Sequence, residues 1–211
     1  MSEVPAELGF KFQTAVRSQP DAWKVVLERV QGTRGGDFPR ERPRRYVFVG
    51  EGSSTHAAQL VMMAFKRDRG KPPPSVNAAA ASSVGHSLIP KKGDWFFGIS
   101  HRGTTESTRR ALELARNRGA FTALVCSEEA AVGAMERWGV DLAIPTCPQE
   151  TIEPHSVSLT SAVCALTAML GGPEFEEAWH EVVERANSLL NGGRADEFDS
   201  PTVIVGEWEA E

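Results

Sequence analysis

The chain has 211 residues, enough for one α/β domain with terminal additions and a full core without disulfide or metal staples. Its 23 basic and 28 acidic residues leave a net charge of -5, which gives no basic footprint for nucleic acid. No apolar stretch approaches a membrane span, the Met1-Ser-Glu-Val-Pro5 start lacks a signal-peptide pattern, and three widely separated cysteines point to buried reduced thiols, hence to the cytoplasm, rather than to disulfides or a metal site.

In chain order, residues 8–30 carry Phe12, Val16, Trp23, Val26, Leu27 and Val30 at helical spacing, with Gln19-Pro20 in the middle. The pattern predicts two helical pieces, the second capped by Asp21, or by Ser18 with proline just inside. Residues 32–45 read as a linker, where Arg40, Arg42, Arg44 and Arg45 beside Pro39 and Pro43 form a solvated loop entering a strand. The pattern then alternates. Strands are predicted over 46–49, weakly over 72–80, and over 95–99, 121–126 and 142–144. Helices are predicted over 54–67, 105–118, 130–137, 156–170 and 173–190, the last two separated by Gly171-Gly172-Pro173.

Glycine-bounded strands alternating with amphipathic helices imply a five-stranded parallel sheet covered on both faces, a three-layer Rossmann/flavodoxin-like doubly wound α/β fold with an N-terminal helical extension. Helices and linker would occupy residues 1–45, and the α/β domain 46–192. Residues 193–211 would form a linker and the opening strand of a truncated or degenerate repeat, because Val203-Ile-Val-Gly-Glu207 echoes Val47-Phe-Val-Gly-Glu51. In such sheets ligands sit beyond the carboxyl ends of the strands, where strand order reverses.

Two turns are expected at that edge. In Gly50-Glu-Gly-Ser-Ser-Thr-His56, Gly52 allows a tight turn and Ser53, Ser54 and Thr55 start a helix. As a dinucleotide fingerprint it is weak, since Thr55 holds the third glycine position and would hinder close helix–strand packing. It lacks the Gly-Lys-Ser/Thr of a P-loop, and a nicotinamide-dependent enzyme is disfavoured. In Ile99-Ser-His-Arg-Gly-Thr-Thr105, Ser100 ends a strand, Gly103 permits an unusual backbone angle, and Thr104 and Thr105 start a helix. Each turn alone reads as a simple helix cap. Together they gather N–H groups, hydroxyls and positive helix ends around one point, which suits a phosphate. Arg102 reads either as a charge-assisted phosphate ligand or as a solvent-facing turn residue. Asp94 and Glu106 read as turn and first-turn carboxylates with cap or dipole roles. His56, His86 and His180 show no metal-ligand spacing, so no metal or cofactor is predicted.

These motifs resemble the SIS (sugar isomerase) family, whose hallmark is a strand ending Ser-x-Ser-Gly-x-Thr before a helix. Residues 99–105 with Thr108, Gly52-Ser-Ser54, and His56-Ala57 carry the resemblance. Gln19-Pro20 and Glu150-Thr-Ile-Glu-Pro-His-Ser-Val-Ser-Leu-Thr160 are similar to elements of the two-domain branch, which includes the isomerase half of glucosamine-6-phosphate synthase. The resemblance covers nearly the whole chain, as the first of two SIS domains. It implies an SIS fold and a sugar-phosphate ligand. Ser54, Ser100, His101, Arg102 and Thr105 would hold the phosphate, and Gly52, Ser53, His155 and Ser156 the sugar.

The departures from the family pattern are specific. Arg102 replaces a serine, Val157 a lysine, and Trp208 the glycine of the second domain's opening turn. Aldose–ketose isomerisation needs a carboxylate base. The resemblance puts it on the helix after the second domain's opening strand, beyond the last residue. Glu209 and Glu211 read as solvated terminal carboxylates. Glu150 is the local candidate for a base, or else a loop cap. Two readings follow. One is an isomerase on a ketose or amino sugar phosphate, active only with a second SIS subunit, a second copy or further sequence. The other is a non-catalytic phosphosugar-sensing or regulatory module. Association into a homo-oligomer is expected in either case.

Overall fold

The computed structural model describes residues 6–33, 38–39, 41–67, 75–151 and 155–192. A long helix α1 (Ala6–Thr33) leads into strand β1 (Arg45–Gly50) and helix α2 (Ser53–Arg67). Strand β2 (Ser75–Ala80) is followed by a short 3-10 turn (Ala81–Ser83). Then come β3 (Trp95–Ile99), α3 (Glu106–Asn117), β4 (Phe121–Cys126), α4 (Glu128–Ala131), α5 (Ala134–Trp138) and β5 (Leu142–Pro145). Helices α6 (Val157–Gly171) and α7 (Pro173–Leu190) complete the described chain. The proposed second opening strand at 203–207, and Trp208, Glu209 and Glu211, lie outside the described residues.

The five strands are all parallel, in the order β2-β1-β3-β4-β5. This is the doubly wound arrangement that the alternating pattern predicts. The chain reverses its direction of winding between β1 and β3, and Gly50 pairs with Ile99 at that point. Strand side chains alternate between two cores. Phe48, Phe97, Val125 and Ile144 pack under α1, α2, α6 and α7, with Phe48 and Phe97 stacked at 5.3 Å. Val47, Val49, Phe96 and Leu124 pack under α3 and α5. Both faces are covered, so the strands read as continuous apolar runs rather than alternating ones.

Three expectations need correction. Pro20 does not divide the N-terminal segment, because α1 runs through it unbroken. An interior proline costs about 3 kcal/mol or more, partly through a lost hydrogen bond to the residue four back. Here that residue is Val16, on an exposed part of the helix. Further on, Trp23, Val26, Leu27 and Val30 are buried in the core shared with α6 and α7, at about 1.5–3 kcal/mol for each large apolar side chain. That burial outweighs the break.

The predicted helix over 130–137 is two short helices divided at Val132-Gly133, where Gly133 takes φ +63°.

Nor is the arginine cluster simply a solvated loop. Arg44 and Arg45 each donate Nε to Asp94, at 2.9 Å to Oδ1 and 2.9 Å to Oδ2. Asp94 is fully buried and also accepts the Lys91 N–H. Its role is a buried ion-pair centre at the amino edge of the sheet, more than the cap or dipole role expected of it. The cause is register: Tyr46 pairs with Trp95, which sets Arg45 beside Asp94.

Candidate functional site

The carboxyl edge of the sheet at β1 and β3 opens into a cleft of about 330 Å³, open solvent included. Ser53 and Ser54 of α2 stand on one side, and His155, Ser158 and Leu159 at the start of α6 on another. His101 and Thr146 add polar groups, and Ile99 and Val125 an apolar floor.

The first turn is shaped by Gly50. A Cβ there would lie 2.6 Å from Ser54 Cβ and 2.7 Å from Ser54 carbonyl carbon, so only glycine lets α2 approach β1 so closely. Thr55 does not hinder the packing as expected, because its hydroxyl turns back and donates to the Gly50 carbonyl at 2.8 Å. Gly52 supplies the left-handed corner at φ +55° and is exposed.

The second turn is built on Ser100. It extends the ladder by donating its N–H to the Val125 carbonyl at 2.9 Å, and it accepts the Gly103 N–H at 2.9 Å. Gly103 sits at φ +60°, where a Cβ would come within 2.9 Å of the Ala130 methyl of α4. Ser100 Oγ donates to Thr105 Oγ1 at 3.0 Å. Thr105 occupies the cap position of α3, yet its side chain makes no cap bond. The simple-cap reading of this threonine is therefore not what the structure shows. Ser100 is buried behind the cleft rather than on its wall, and Arg102 is exposed at the rim, its Nη2 3.5 Å from His155 Nε2.

His101 and Glu150 bind the two sides together. The Glu150 main-chain N–H donates to His101 Nε2 at 2.6 Å. Since Nε2 accepts, the imidazole is neutral and its proton rests on Nδ1. That Nδ1 is buried with no partner among the described residues. Burial chiefly, then the charge of His155, holds the His101 pKa below its ordinary value, against the opposing pull of Glu150 and Glu129. The two imidazoles meet edge to face at 5.6 Å.

The Glu150 side chain is nearly buried and caps α6. Oε1 accepts the N–H groups of Ser156 and Val157 at 3.1 and 3.2 Å. Oε2 accepts the N–H and hydroxyl of Ser158 at 2.9 and 2.8 Å. A carboxylate has about four lone-pair sites, and all four are engaged. Of the two sequence readings of Glu150, base or cap, the geometry is that of a cap. Ser156 Oγ is buried without a partner among the described residues.

Of the predicted residues, Ser53, Ser54, His101 and His155 line the cleft, while Gly52, Ser100, Arg102, Thr105, Glu150 and Ser156 are not among its lining residues. Sequence reasoning missed Ser158, Thr146 and Arg29. Ser158 falls within the quoted Glu150–Thr160 segment, three residues past His155, and was open to discovery by helical spacing. Arg29 gave no signal: from α1 it crosses to the Thr146 carbonyl at 2.8 Å and to Glu128 at 2.9 Å. All three cysteines are free and buried, with Cys126 on the cleft wall. Burial pushes the Cys126 thiol up to about 12, so it is no thiolate nucleophile. Among the described residues no group of three His, Cys, Asp or Glu side chains could hold a metal ion. No helix among them is long and apolar enough to cross a membrane.

A doubly wound parallel sheet with a cleft at the carboxyl ends of β1 and β3 defines an α/β domain of the class that takes its ligands at the switch point. The SIS domain family matches residues 41–170, more than half of the chain, and the chain belongs to that family. Among solved structures it is similar to tagatose-6-phosphate ketose/aldose isomerase from Escherichia coli, with 16% identity and a TM-score of 0.69 over 90% of this chain and 55% of that one. It is also similar to the C-terminal domain of glucosamine-fructose-6-phosphate aminotransferase from Francisella tularensis, with 16% identity and a TM-score of 0.59 over 84% and 52%. At such identity the likeness shows the fold alone. The chain spans about half the length of these structures. No curated protein matches the sequence.

Proposed function

We propose that this chain is a phosphosugar-binding SIS protein of the aldose–ketose isomerase or aminotransferase type. In this reading Ser54, Ser100, His101, Arg102 and Thr105 hold the phosphate, and Gly52, Ser53, His155 and Ser156 contact the sugar. The observation that carries it is convergence. Ser53 and Ser54 at the start of α2, His101 from the turn after β3 and His155 before α6 line one cleft, and the Ser100–Thr105 hydroxyl pair is bonded within that same turn beside the β1/β3 switch point. Helix N-termini leave N–H donors unpaired and carry partial positive charge, and a phosphate answers both. The neutral His101, with an unpartnered Nδ1–H, adds a donor that needs no proton uptake.

Catalysis in this reading requires a base from a second SIS domain, in another subunit, a second copy of the chain or further sequence. The solved relatives, about twice as long, support that dependence. The saturated Glu150 carboxylate favours the alternative, a non-catalytic sensing or regulatory module.

Ligand that binds only the folded state raises the melting temperature, by about 2.7 kcal/mol of stabilisation at a hundredfold excess over Kd. Fructose 6-phosphate is therefore expected to raise the Tm of the full chain, and Ser100→Ala with Thr105→Ala to abolish the rise. A shift that survives the double substitution removes the phosphate from this site. Turnover of fructose 6-phosphate by the purified chain alone would exclude the binding-only alternative, and a strictly monomeric sedimentation profile would argue against association.

A further inference from the structure

We propose that Glu150 sets the charge of the ligand, admitting one anionic group to the cleft and refusing a second. The inference rests on the phosphosugar reading above and deepens it. Two helix starts stand on the cleft wall, those of α2 and α6, represented by Ser54 and Ser158, and His101 brings to it the turn that leads into α3. Each carries a positive dipole end, and at α2 the Ser54 and Thr55 N–H groups are already met by the Glu51 and Gly52 carbonyls. At α3 the cap-position side chain makes no cap bond. At α6 the chain supplies its own anion. The Glu150 carboxylate takes the N–H groups of Ser156, Val157 and Ser158 together with the Ser158 hydroxyl.

This carboxylate is not a loose surface cap. It is nearly buried, and the main chain of the same residue is fastened to the His101 imidazole at 2.6 Å. To vacate the helix end it would have to disturb the turn that holds the phosphate. Ser158 lies on the cleft wall and separates the carboxylate from the ligand by one hydroxyl. A second phosphate or a carboxylate at the α6 helix end would meet a like charge, with the Ser156, Val157 and Ser158 N–H groups already taken. A neutral sugar hydroxyl would instead find Ser158 and His155. Glu150 is thus a positioning residue acting through Ser158, and its effect is on ligand charge.

The test is isothermal titration of the full chain with fructose 6-phosphate and fructose 1,6-bisphosphate at one ionic strength. The unsubstituted chain is expected to prefer the monophosphate by about tenfold or more, since like-charge juxtaposition is strongly disfavoured. Glu150→Gln removes the charge at the same size, and its single carbonyl oxygen keeps part of the four-bond cap. It should retain monophosphate binding and narrow that preference several-fold. A purely structural cap would weaken both ligands together and leave the ratio unchanged, and that result overturns the proposal. If Glu150→Gln does not fold, Ser158→Ala serves. It strips one donor from the carboxylate, and the preference should widen; an unchanged or narrowed ratio overturns the proposal. Equal affinity of the unsubstituted chain for the two sugars refutes this inference and leaves the phosphosugar reading standing. Binding of neither refutes both.

Discussion

At the amino edge of the sheet, Asp94 is fully buried and both its oxygens are met, by Arg44, Arg45 and the Lys91 N–H. At the carboxyl edge, His101 Nδ1, Ser156 Oγ and Thr108 Oγ1 are also buried, yet meet nothing among the described residues. Burying a polar group without a partner costs about 1–3 kcal/mol, so the second edge is less stable than it need be. The difference separates a region that holds strands in register from the one to which the proposed function assigns the ligand. Buried groups without partners call for a reason, and a ligand oxygen is one that fits.

The largest consequence lies at the satisfied edge. Asp94→Ala leaves two guanidinium groups without their carboxylate, one of them on the largely buried Arg45. Breaking a buried ion pair from one side costs about 3–5 kcal/mol. Urea unfolding should show a loss of that order, while fructose 6-phosphate still raises the Tm of the folded fraction. A loss below about 1 kcal/mol would place Asp94 in the range of surface pairs and erase the contrast between the edges.

The opposite pattern is expected of the Ser100→Ala, Thr105→Ala pair. Ser100 and Thr105 hydroxyls bond to each other, and removing both partners of a hydrogen bond leaves no orphan. Stability in urea should change by less than about 1 kcal/mol, although the ligand response disappears. If this pair destabilises the chain as much as Asp94→Ala does, the carboxyl edge is structural too, and the comparison fails.

How much of this was legible follows from the range of each interaction. Trp95–Ile99 and Phe121–Cys126 matched their predicted bounds, because an apolar run closed by a turn is a local signal. The turns at Gly52 and Gly103 were legible for the same reason. Pro20 misled, because its local cost is outweighed by packing against a helix more than 130 residues later, where Trp23 Nε1 donates to Thr160. Arg45 with Asp94 required the register of β1 on β3, which no local pattern encodes. The Glu150 cap was foreseen only as one of two roles. Choosing between them required knowing that Ser156, Val157 and Ser158 turn their N–H groups back on it.

The smallest expected effect is also the most direct reading of the unsatisfied edge. His101 is neutral because Nε2 accepts the Glu150 N–H, and burial lowers its pKa in the folded chain from the ordinary 6.5. Between that lowered value and 6.5 the unfolded chain binds more protons than the folded one, so stability must rise with pH across this window. Above 6.5 the contribution is complete; as pH falls below 6.5 it is lost progressively until the folded pKa is passed. The slope is a fraction of the ~1.4 kcal/mol per pH unit that one full proton would give, because the imidazole is partly exposed and screened. Arg102, His155, Glu129 and Glu150 all act on the same ring, so the total pH dependence is not His101's alone. His101→Gln isolates it, since the amide oxygen can still accept the Glu150 N–H and does not titrate. Urea unfolding measured on both sides of 6.5 should show a shallower acid limb in the variant. Bound fructose 6-phosphate should reduce the difference further by giving Nδ1–H an acceptor. Identical acid limbs would mean that His101 is solvated and that the edge carries no reserve of unmet donors at this position.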